Sequence, residues 1–449
     1  MALVCAFGRQ FLRYVAWLSI VWLSGTSAQA AGSNILLLIA DDFGIDVASF
    51  YPLGPRLQTT PPPPPVPNLM ALAKQGVVFT RVWASPWCSP TRAQILTGRY
   101  NFRTGIGRAN TSDQPPLSTG EVTLPEVFAA AFGAAYRTAN LGKWHLSSGE
   151  NDPAAHGWWR YAGGHPDLGH LPSYFSWPKT VDGVTGTSTV YATTDTVDET
   201  LKVIQQAKAQ GKRYLAWTAF NAPHDPFHAP PAGLHPKTPL PPTGAANRAK
   251  FEAMVEAMDT EIGRLLKAVS LADTTVIFIG DNGTAGSVVA PPYSRTKAKA
   301  TMYEGGVRVP LLVAGAGVVS PNRRVAKLVS AIDLFPTILA LAGIDPAVVP
   351  PNDGLSLMPY LKAQGHPAPR TWLYSEQFSR SFDTSWQRAI CDWQYKLIER
   401  HDGSREFYDL RNDALEAKNL LQGVLTSGQK SALNRLDRQI DALLATRGM

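Results

Sequence analysis

Residues Asn34 to Ala40 read NILLLIA, an unbroken apolar run that stops at Asp41-Asp42. Such a run, rich in branched side chains, predicts a strand buried on both faces, as in a parallel sheet. The pattern recurs at Arg213 to Phe220, which ends at Asn221-Ala222-Pro223-His224. It recurs at Thr274 to Ile279, ahead of Gly280-Asp281-Asn282-Gly283, and again at Val309 to Ala314. Helical spacing fills the intervals: a short stretch at Asn68 to Gln75, a longer one at Leu124 to Tyr136, and Arg248 to Leu271. In the last, Phe251, Val255, Met258, Ile262, Leu265 and Leu266 recur at three- and four-residue steps. Strands alternating with helices predict an α/β fold with a mostly parallel central sheet flanked by helices.

Three of these strands end in polar clusters. In open α/β sheets ligands bind outside the carboxyl ends of the strands, so distant segments can converge on one site there. Taken singly, each cluster would serve equally well to start a loop or cap a helix. Thr59 to Pro67 is proline-rich and predicts a stiff, extended connector before the helix at Asn68. No internal repeat is present. Past Gly343 the text changes: proline and glycine become frequent through Pro346–Pro369, and short mixed segments follow at Trp372–Gln377 and Trp393–Glu399. A final amphipathic helix is predicted over Ser427–Ala445, with Leu433, Leu436, Ile440, Leu443 and Leu444 on one face. The expected organisation is a main α/β domain over 31–345 and a smaller C-terminal α+β subdomain over 346–449.

The first thirty residues do not fit this scheme. Arg9 and Arg13 precede the apolar run Tyr14–Leu23, and Ala28-Gln29-Ala30 forms an A-x-A cleavage pattern. The run is shorter than the ~20 residues that span a bilayer. Residues 1–30 therefore read as a signal peptide, cleaved near Ala30-Ala31, of a periplasmic or secreted protein with no stable membrane insertion. Its removal lowers the formal net charge of +7 by two. What remains suits an anionic substrate, and no dense Lys/Arg run points to nucleic acid. Cys5 is lost with the leader, which leaves Cys88 and Cys391. Two cysteines do not make a disulfide scaffold. A Cys88–Cys391 bridge is the plain alternative, and the surroundings of Cys88 argue against it.

Cys88 opens the stretch CSPTRAQILTGR. Pro90 suits the first turn of a helix, Ala93 to Leu96 continue it and Gly98 ends it. Cys88 then lies at a helix N-terminus, where unpaired N–H groups favour negative charge. Arg92 is one turn further on. A cysteine so placed reads as reactive. A plain thiolate nucleophile, which wants a nearby His and an acyl-type substrate, is one reading.

This stretch also resembles the Cys-x-Pro-x-Arg…Thr-Gly-Arg element of the type I sulfatases, in the alkaline-phosphatase-like superfamily. In that family the cysteine is converted to Cα-formylglycine before folding, and the hydrated aldehyde is the nucleophile. The resemblance implies a formylglycine-generating enzyme as maturation partner, reading Cys, Pro and Arg in the unfolded chain. Other segments resemble the family in order: NILLLIADDFG, LGKWH with Lys143 and His145, NAPHDPF with His224, GDNG with Asp281 and Asn282, and KATMYEGGVRVP with Lys299. Met70 and Ile45 depart from the family's usual residues, and neither holds a direct role.

The chemistry asked of these residues is coherent. A sulfate ester needs a nucleophile, a cation clamp and an acid for the leaving oxygen. Asp41, Asp42, Asp281 and Asn282 offer oxygen ligands, which suit Ca²⁺, or Mg²⁺, rather than Zn²⁺. The resemblance adds the modified Cys88 to that metal set. It further implies that Arg92, Lys143 and Lys299 hold the sulfuryl oxygens and the nucleophile, that His145 bonds the nucleophile, and that His224 protonates the departing alcohol. The substrate class is a sulfated small molecule or sugar. Two alternatives stay open: a phosphonate or phosphate ester hydrolase on the same scaffold, and a non-catalytic binder of sulfated ligands with Cys88 unmodified. His156, His165, His170 and His228 read as loop residues. Trp83, Trp87, Trp144, Trp158, Trp159 and Trp177 suit either an aromatic mouth or core packing.

Overall fold

The computed structural model describes residues 32–54, 57–109, 114–147, 149–166, 169–241, 243–379 and 385–447. The signal-peptide reading lies outside these residues. Ten strands form the main sheet: β1 (Asn34–Ala40), β2 (Gly76–Trp83), β3 (Tyr136–Gly142), β4 (Arg160–Gly164), β5 (Trp177–Val181), β6 (Val184–Ser188), β7 (Arg213–Ala219), β8 (Thr274–Gly280), β9 (Leu311–Gly315) and β10 (Arg323–Ser330). Their order is β10-β2-β9-β8-β1-β7-β3-β4-β5-β6. The stretch β8-β1-β7-β3-β4 is parallel throughout. The longer helices are α1 (Pro67–Ala73), α2 (Cys88–Thr97), α3 (Leu124–Phe132), α4 (Ala192–Ala209), α5 (Asn247–Leu266), α6 (Leu334–Leu341) and α7 (Ser427–Ala445).

Both faces of the sheet are covered, as the unbroken apolar runs predict. Ile35, Leu37 and Ile39 of β1 pack into one core with Ile95 of α2, Phe128 of α3 and Ile338 of α6. Leu36, Leu38 and Ala40 pack into the other with Leu69 of α1, Ile204 of α4 and Met258 of α5. The alternation along one strand feeds two hydrophobic layers, the mark of a doubly covered sheet.

Two local readings are corrected, and a third is filled in. The helix expected to reach Tyr136 stops at Phe132: Gly133, at φ 53°, ends it, and Tyr136 starts β3. The strand expected from Val309 runs over Leu311–Gly315 and lies antiparallel to both of its neighbours. The mixed segments past residue 370 are strands of a second sheet, β11 (Leu373–Gln377), β12 (Gln387–Cys391), β13 (Tyr395–Arg400) and β14 (Arg405–Asp409), paired antiparallel in that order. Leu436, Ile440 and Leu443 of α7 close the core of this smaller α+β part together with Tyr374, Ile390, Leu397 and Phe407. The proline-rich stretch leads into α1, whose first free N–H groups, those of Asn68 and Leu69, are taken by the Asp259 carboxylate of α5 at 2.9 and 2.8 Å.

Register places the site. Ala40 pairs with Gly280, and Ile39 with Ala219, which in turn pairs with Gly142. Four adjacent strands thus end at one level, and the next residues are Asp41, Asp281, Phe220 and Lys143. Gly142 makes the turn out of β3 possible. Its φ is +96°, and a Cβ there would stand 2.0 Å from the Ala219 carbonyl oxygen. Gly142→Ala therefore combines a disfavoured backbone with a main-chain clash, and is expected to cost at least ~2 kcal/mol of stability. Differential scanning calorimetry should show a melting temperature several degrees lower; an unchanged melting temperature would refute this account of the turn.

Candidate active site

Helix α2 carries the reactive position. Trp87, in extended conformation at φ −132°, leads into it, and Cys88 is its first residue. Every residue of α2 is buried, and Gly98, at φ 71°, ends it. The Thr91 hydroxyl accepts the Ser85 N–H at 2.9 Å, which ties the first turn to the loop before it. Arg92 lies one turn below Cys88 and is fully buried. Its Nη2 and Nε donate to Asp281 Oδ2 at 2.8 and 3.2 Å, and its Nη1 donates to the Lys143 carbonyl at 3.0 Å.

The strand ends bring the other sequence-predicted residues to the same place. His145 Nδ1 lies 3.2 Å from Cys88 Sγ. Lys143 Nζ donates to Asp41 Oδ2. Lys299 Nζ lies 2.5 Å from Asp42 Oδ1, and Asn282 Nδ2 donates to the same oxygen at 2.8 Å. Asp42 N–H donates to Asp281 Oδ1 at 3.2 Å. His224 Nε2 is 3.8 Å from Asp42 Oδ2, while its Nδ1 is 3.0 Å from Asp225 Oδ1. All ten candidate residues meet in one cluster built from four strand ends, α2 and the 299 segment.

Backbone strain collects here. Asp42, His145 and Ala300, the residue after Lys299, have φ of 61°, 59° and 71°, values that side-chain-bearing residues adopt at a cost. Packing and hydrogen bonds around the site must hold them there.

Crowded charge sets the titration of the group. Burial would raise Asp41, yet Lys143, His224, Arg92 and Lys299 hold it well below the usual carboxylate range. Asp281 is pushed up to about 8 by burial and by Asp41, against the pull of Arg92. Burial opposes the charge on His224, but Asp42, Asp41 and the bond to Asp225 outweigh it and raise the imidazole to about 8. Burial likewise opposes the charge on Lys299, and Asp42 more than compensates, so the amine stays above its ordinary range.

The donors present fit a hard divalent ion. One ligand atom each of Asp41, Asp42 and His224 lie within 4.8 Å of one another. Asp41 Oδ1 and Asn282 Oδ1 are buried with no hydrogen-bond partner, two oxygens for which a cation is a natural acceptor of electron density. An oxygen-dominated set of this kind matches calcium or magnesium better than zinc. Asp281 is turned toward Arg92, and Cys88 toward His145.

Sequence reading missed two neighbours. His170, read as a loop residue, stacks on His224 with ring centroids 6.0 Å apart and planes 9° apart. Gln377, at the end of β11, reaches Trp87 from the second sheet. No motif marks either one. His156 is structural: its ring nitrogens meet the carbonyls of Asp152 and Leu117. His228 sits against Tyr174 and Tyr191, and His165 lies near Glu150. Trp83, Trp144, Trp158 and Trp177 are core residues, whereas Trp159 is exposed and Trp87 half-buried. Cys88 and Cys391 are both free, and Cys391 packs in an apolar cluster with Trp83 and Met302.

Comparison with known proteins agrees with this constellation. The sulfatase family model matches residues 33–344, and a model for the C-terminal part of N-sulphoglucosamine sulphohydrolase matches residues 296–444. The chain is 30% identical over 380 residues to N-acetylgalactosamine-6-sulfatase of Sus scrofa, covering 76% of this chain and 69% of that one. It is 30% identical over 411 residues to arylsulfatase A of Bos taurus, covering 80% and 73%. Among solved structures, one described as a complex with its substrate D-glucosamine-2-N,6-O-disulfate superposes with a TM-score of 0.73 at 18% identity, over 93% of this chain and 99% of that one. With the family model spanning most of the sheet and all of the strand ends that build the cluster, this chain belongs to the sulfatase family of the alkaline-phosphatase-like superfamily and is a sulfatase.

Proposed function

We propose that the chain hydrolyses a sulfate monoester of a sugar or small molecule at the cluster around Cys88. The observation that carries this reading is the contact of Cys88 Sγ with His145 Nδ1 at a helix N-terminus, ringed by Arg92, Lys143 and Lys299. A plain thiolate on an acyl substrate would need no such concentration of cations. A sulfate group, with negative charge on its oxygens, does. Names of relatives that act on sugar sulfates favour the sugar class for this chain as well.

Converted to Cα-formylglycine by a formylglycine-generating enzyme, position 88 supplies a hydrated aldehyde as nucleophile. Asp41, Asp42, Asp281 and Asn282, with the modified residue 88, would hold Ca²⁺ or Mg²⁺, which supplies positive charge for the sulfate oxygens. The protein's own groups do the rest. His145 Nδ1 orients the nucleophile by a hydrogen bond. Arg92 braces the helix end against Asp281 and Lys143, so the clamp keeps its shape. Lys143 and Lys299 face the sulfuryl oxygens and offset charge that grows as the ester S–O bond breaks. His224 Nε2 passes a proton to the departing alkoxide, and Asp225 on Nδ1 holds the ring in place. Deep burial excludes bulk water and strengthens each of these charges.

Export completes the proposal: the mature chain begins near Ala31, and N-terminal sequencing of protein from an exporting host reads this directly. Cys88→Ala should fold, still bind metal through the four remaining ligands and lose essentially all turnover, because the nucleophile is gone. Near-normal turnover in that variant would end the sulfatase mechanism proposed here. Stripping divalent ions should abolish activity, with recovery on adding Ca²⁺ or Mg²⁺. Asp42→Ala should weaken metal uptake, measured by calorimetric titration, in parallel with rate; a variant that binds metal normally yet is inactive would remove Asp42 from the metal set.

The proton donor is separable from the clamp by choice of leaving group. A general acid contributes roughly 10²–10⁴-fold, and only where the leaving oxygen is basic. His224→Ala should therefore depress turnover of alkyl or sugar sulfates strongly and of nitrophenyl sulfate much less. Lys143→Ala should penalise both alike, since it meets the sulfate common to them. Equal losses on both substrates for His224→Ala would assign it to binding rather than to proton transfer.

A further inference from the structure

The second sheet grips the nucleophile helix at both ends. Ser375 Oγ of β11 donates to the Ala84 carbonyl at 3.0 Å, upstream of α2. Beyond α2, Asn101 Nδ2 donates to the Glu376 carbonyl at 3.0 Å, and Phe102 N–H donates to Glu376 Oε1 at 2.7 Å. Gln377, the last residue of the strand, makes the two bonds nearest the chemistry. Trp87 Nε1 donates to Gln377 Oε1 at 2.5 Å, and Gln377 Nε2 donates to the Ala300 carbonyl at 3.2 Å. Gln377 is 2% exposed, so neither bond competes freely with water.

The partners of this one amide are informative. Trp87 immediately precedes Cys88, and Ala300 immediately follows Lys299. Ala300 holds φ at 71°, and its N–H donates to the Pro86 carbonyl at 2.9 Å. Both ends of the Ala300 peptide environment are therefore pinned to the 86–87 segment, one end directly and the other through Gln377. A left-handed alanine released from such bonds falls back toward ordinary backbone angles. That relaxation would swing Lys299 off Asp42. Apart from the Ala300–Pro86 bond, nothing else described on the lysine's C-terminal side links these two segments so close to Lys299.

We propose that Gln377 is a positioning residue for sulfate ester hydrolysis: its amide bridges Trp87 and Ala300 and thereby fixes Lys299 relative to position 88. The C-terminal sheet thus completes the active site although it supplies no reacting group. This rests on the sulfatase mechanism proposed above and extends it to a part of the chain where no motif was read.

The test uses the full-length, exported and modified protein with a sulfate ester that the wild type turns over. Gln377→Leu removes both bonds, and Gln377→Glu keeps the acceptor for Trp87 while replacing the donor to Ala300. Formylglycine content by mass spectrometry and the melting temperature are measured beside kcat and KM. Misplacement of a reacting group by about 1 Å costs up to roughly 10²-fold, so kcat should fall ~10–100-fold in both variants, with KM changed far less. In a double-mutant cycle, Gln377→Leu should cost little more once Lys299→Ala is present, because the amide acts through that lysine. A folded, fully modified Gln377→Glu with wild-type kcat overturns the proposal, as does a loss that merely follows missing formylglycine or unfolding, or one fully additive with Lys299→Ala. A wild type that carries formylglycine yet turns over no sulfate ester overturns the sulfatase mechanism itself, and so is told apart from failure of the Gln377 role.

Discussion

Asp41, Asp42 and Asp281 lie buried within hydrogen-bond reach of one another's neighbours, and burying three carboxylates together is the constraint the rest of the structure answers. An unpaired buried carboxylate is costly enough that a protein ordinarily neutralises it. Here the neutralising groups come from elsewhere in the chain: Arg92 from α2, Lys143 from the end of β3, Lys299 from a loop. Their attraction recovers the desolvation cost only if the geometry is tight. Tight geometry needs strand ends that finish at one level, and the parallel register of β8, β1, β7 and β3 provides it. The strained backbone at Asp42, His145 and Ala300 follows from the same demand, because each turns sharply as it leaves a strand or loop to face the cluster.

That arrangement explains which parts were legible in the sequence. The buried strands announce themselves because a strand covered on both faces carries successive apolar residues, as β1 does over Ile35–Ala40, β7 over Leu215–Trp217 and β8 over Val276–Ile279. The polar residues that end them stand out against such runs. The Cys88 element is legible for a different reason: CSPTRAQILTGR is a long, specific string with its own helix signals, Pro90 near the start and Gly98 at the end. β9 was found as a strand but not as an antiparallel one, since direction depends on which neighbours accept it and not on its own pattern. The second sheet was hardly visible. Its strands are short, and segments such as Tyr395–Arg400 mix charged and apolar residues without a clean period. Gln377 and His170 could not be found at all, because their partners lie far away in sequence and a lone Gln or His carries no local signature.

The C-terminal sheet also shows why a site can depend on a region without motifs. Lys396, fully buried on β13, pairs with Glu304 at 3.2 Å and with Glu416 at 2.8 Å, and Trp83 Nε1 donates to the same Glu304 at 3.0 Å. Glu304 lies a few residues beyond Lys299. Burial works against the charge on Glu304, but Lys396 and Arg308 keep its carboxyl below the ordinary range. The segment that delivers Lys299 is thus held by buried charge on one side and by the Gln377 amide on the other. Charge partners of this kind are poor sources of net stability but specific in geometry. They suit a loop whose place matters more than its contribution to folding.

Exposure orders the cluster from inside to outside. Cys88 is 2% exposed and Lys143 1%, whereas the side chains of Lys299 and His224 are 11% and 13% exposed. His170, stacked on His224, is exposed. Of the two lysines assigned to the sulfate, Lys143 is deep, whereas Lys299 lies level with His224, the group assigned to the leaving alcohol. A sulfate ester entering this site would place its constant part inward and its variable part at the surface. The deep residues then need only recognise a tetrahedral, negatively charged sulfuryl group, which asks for the same cations whatever the alcohol. Nearer the surface stand His170 and Asp225, both exposed, and the half-buried Trp87. In open α/β folds ligands meet the carboxyl ends of the strands, and binding residues sit disproportionately on the loops around them.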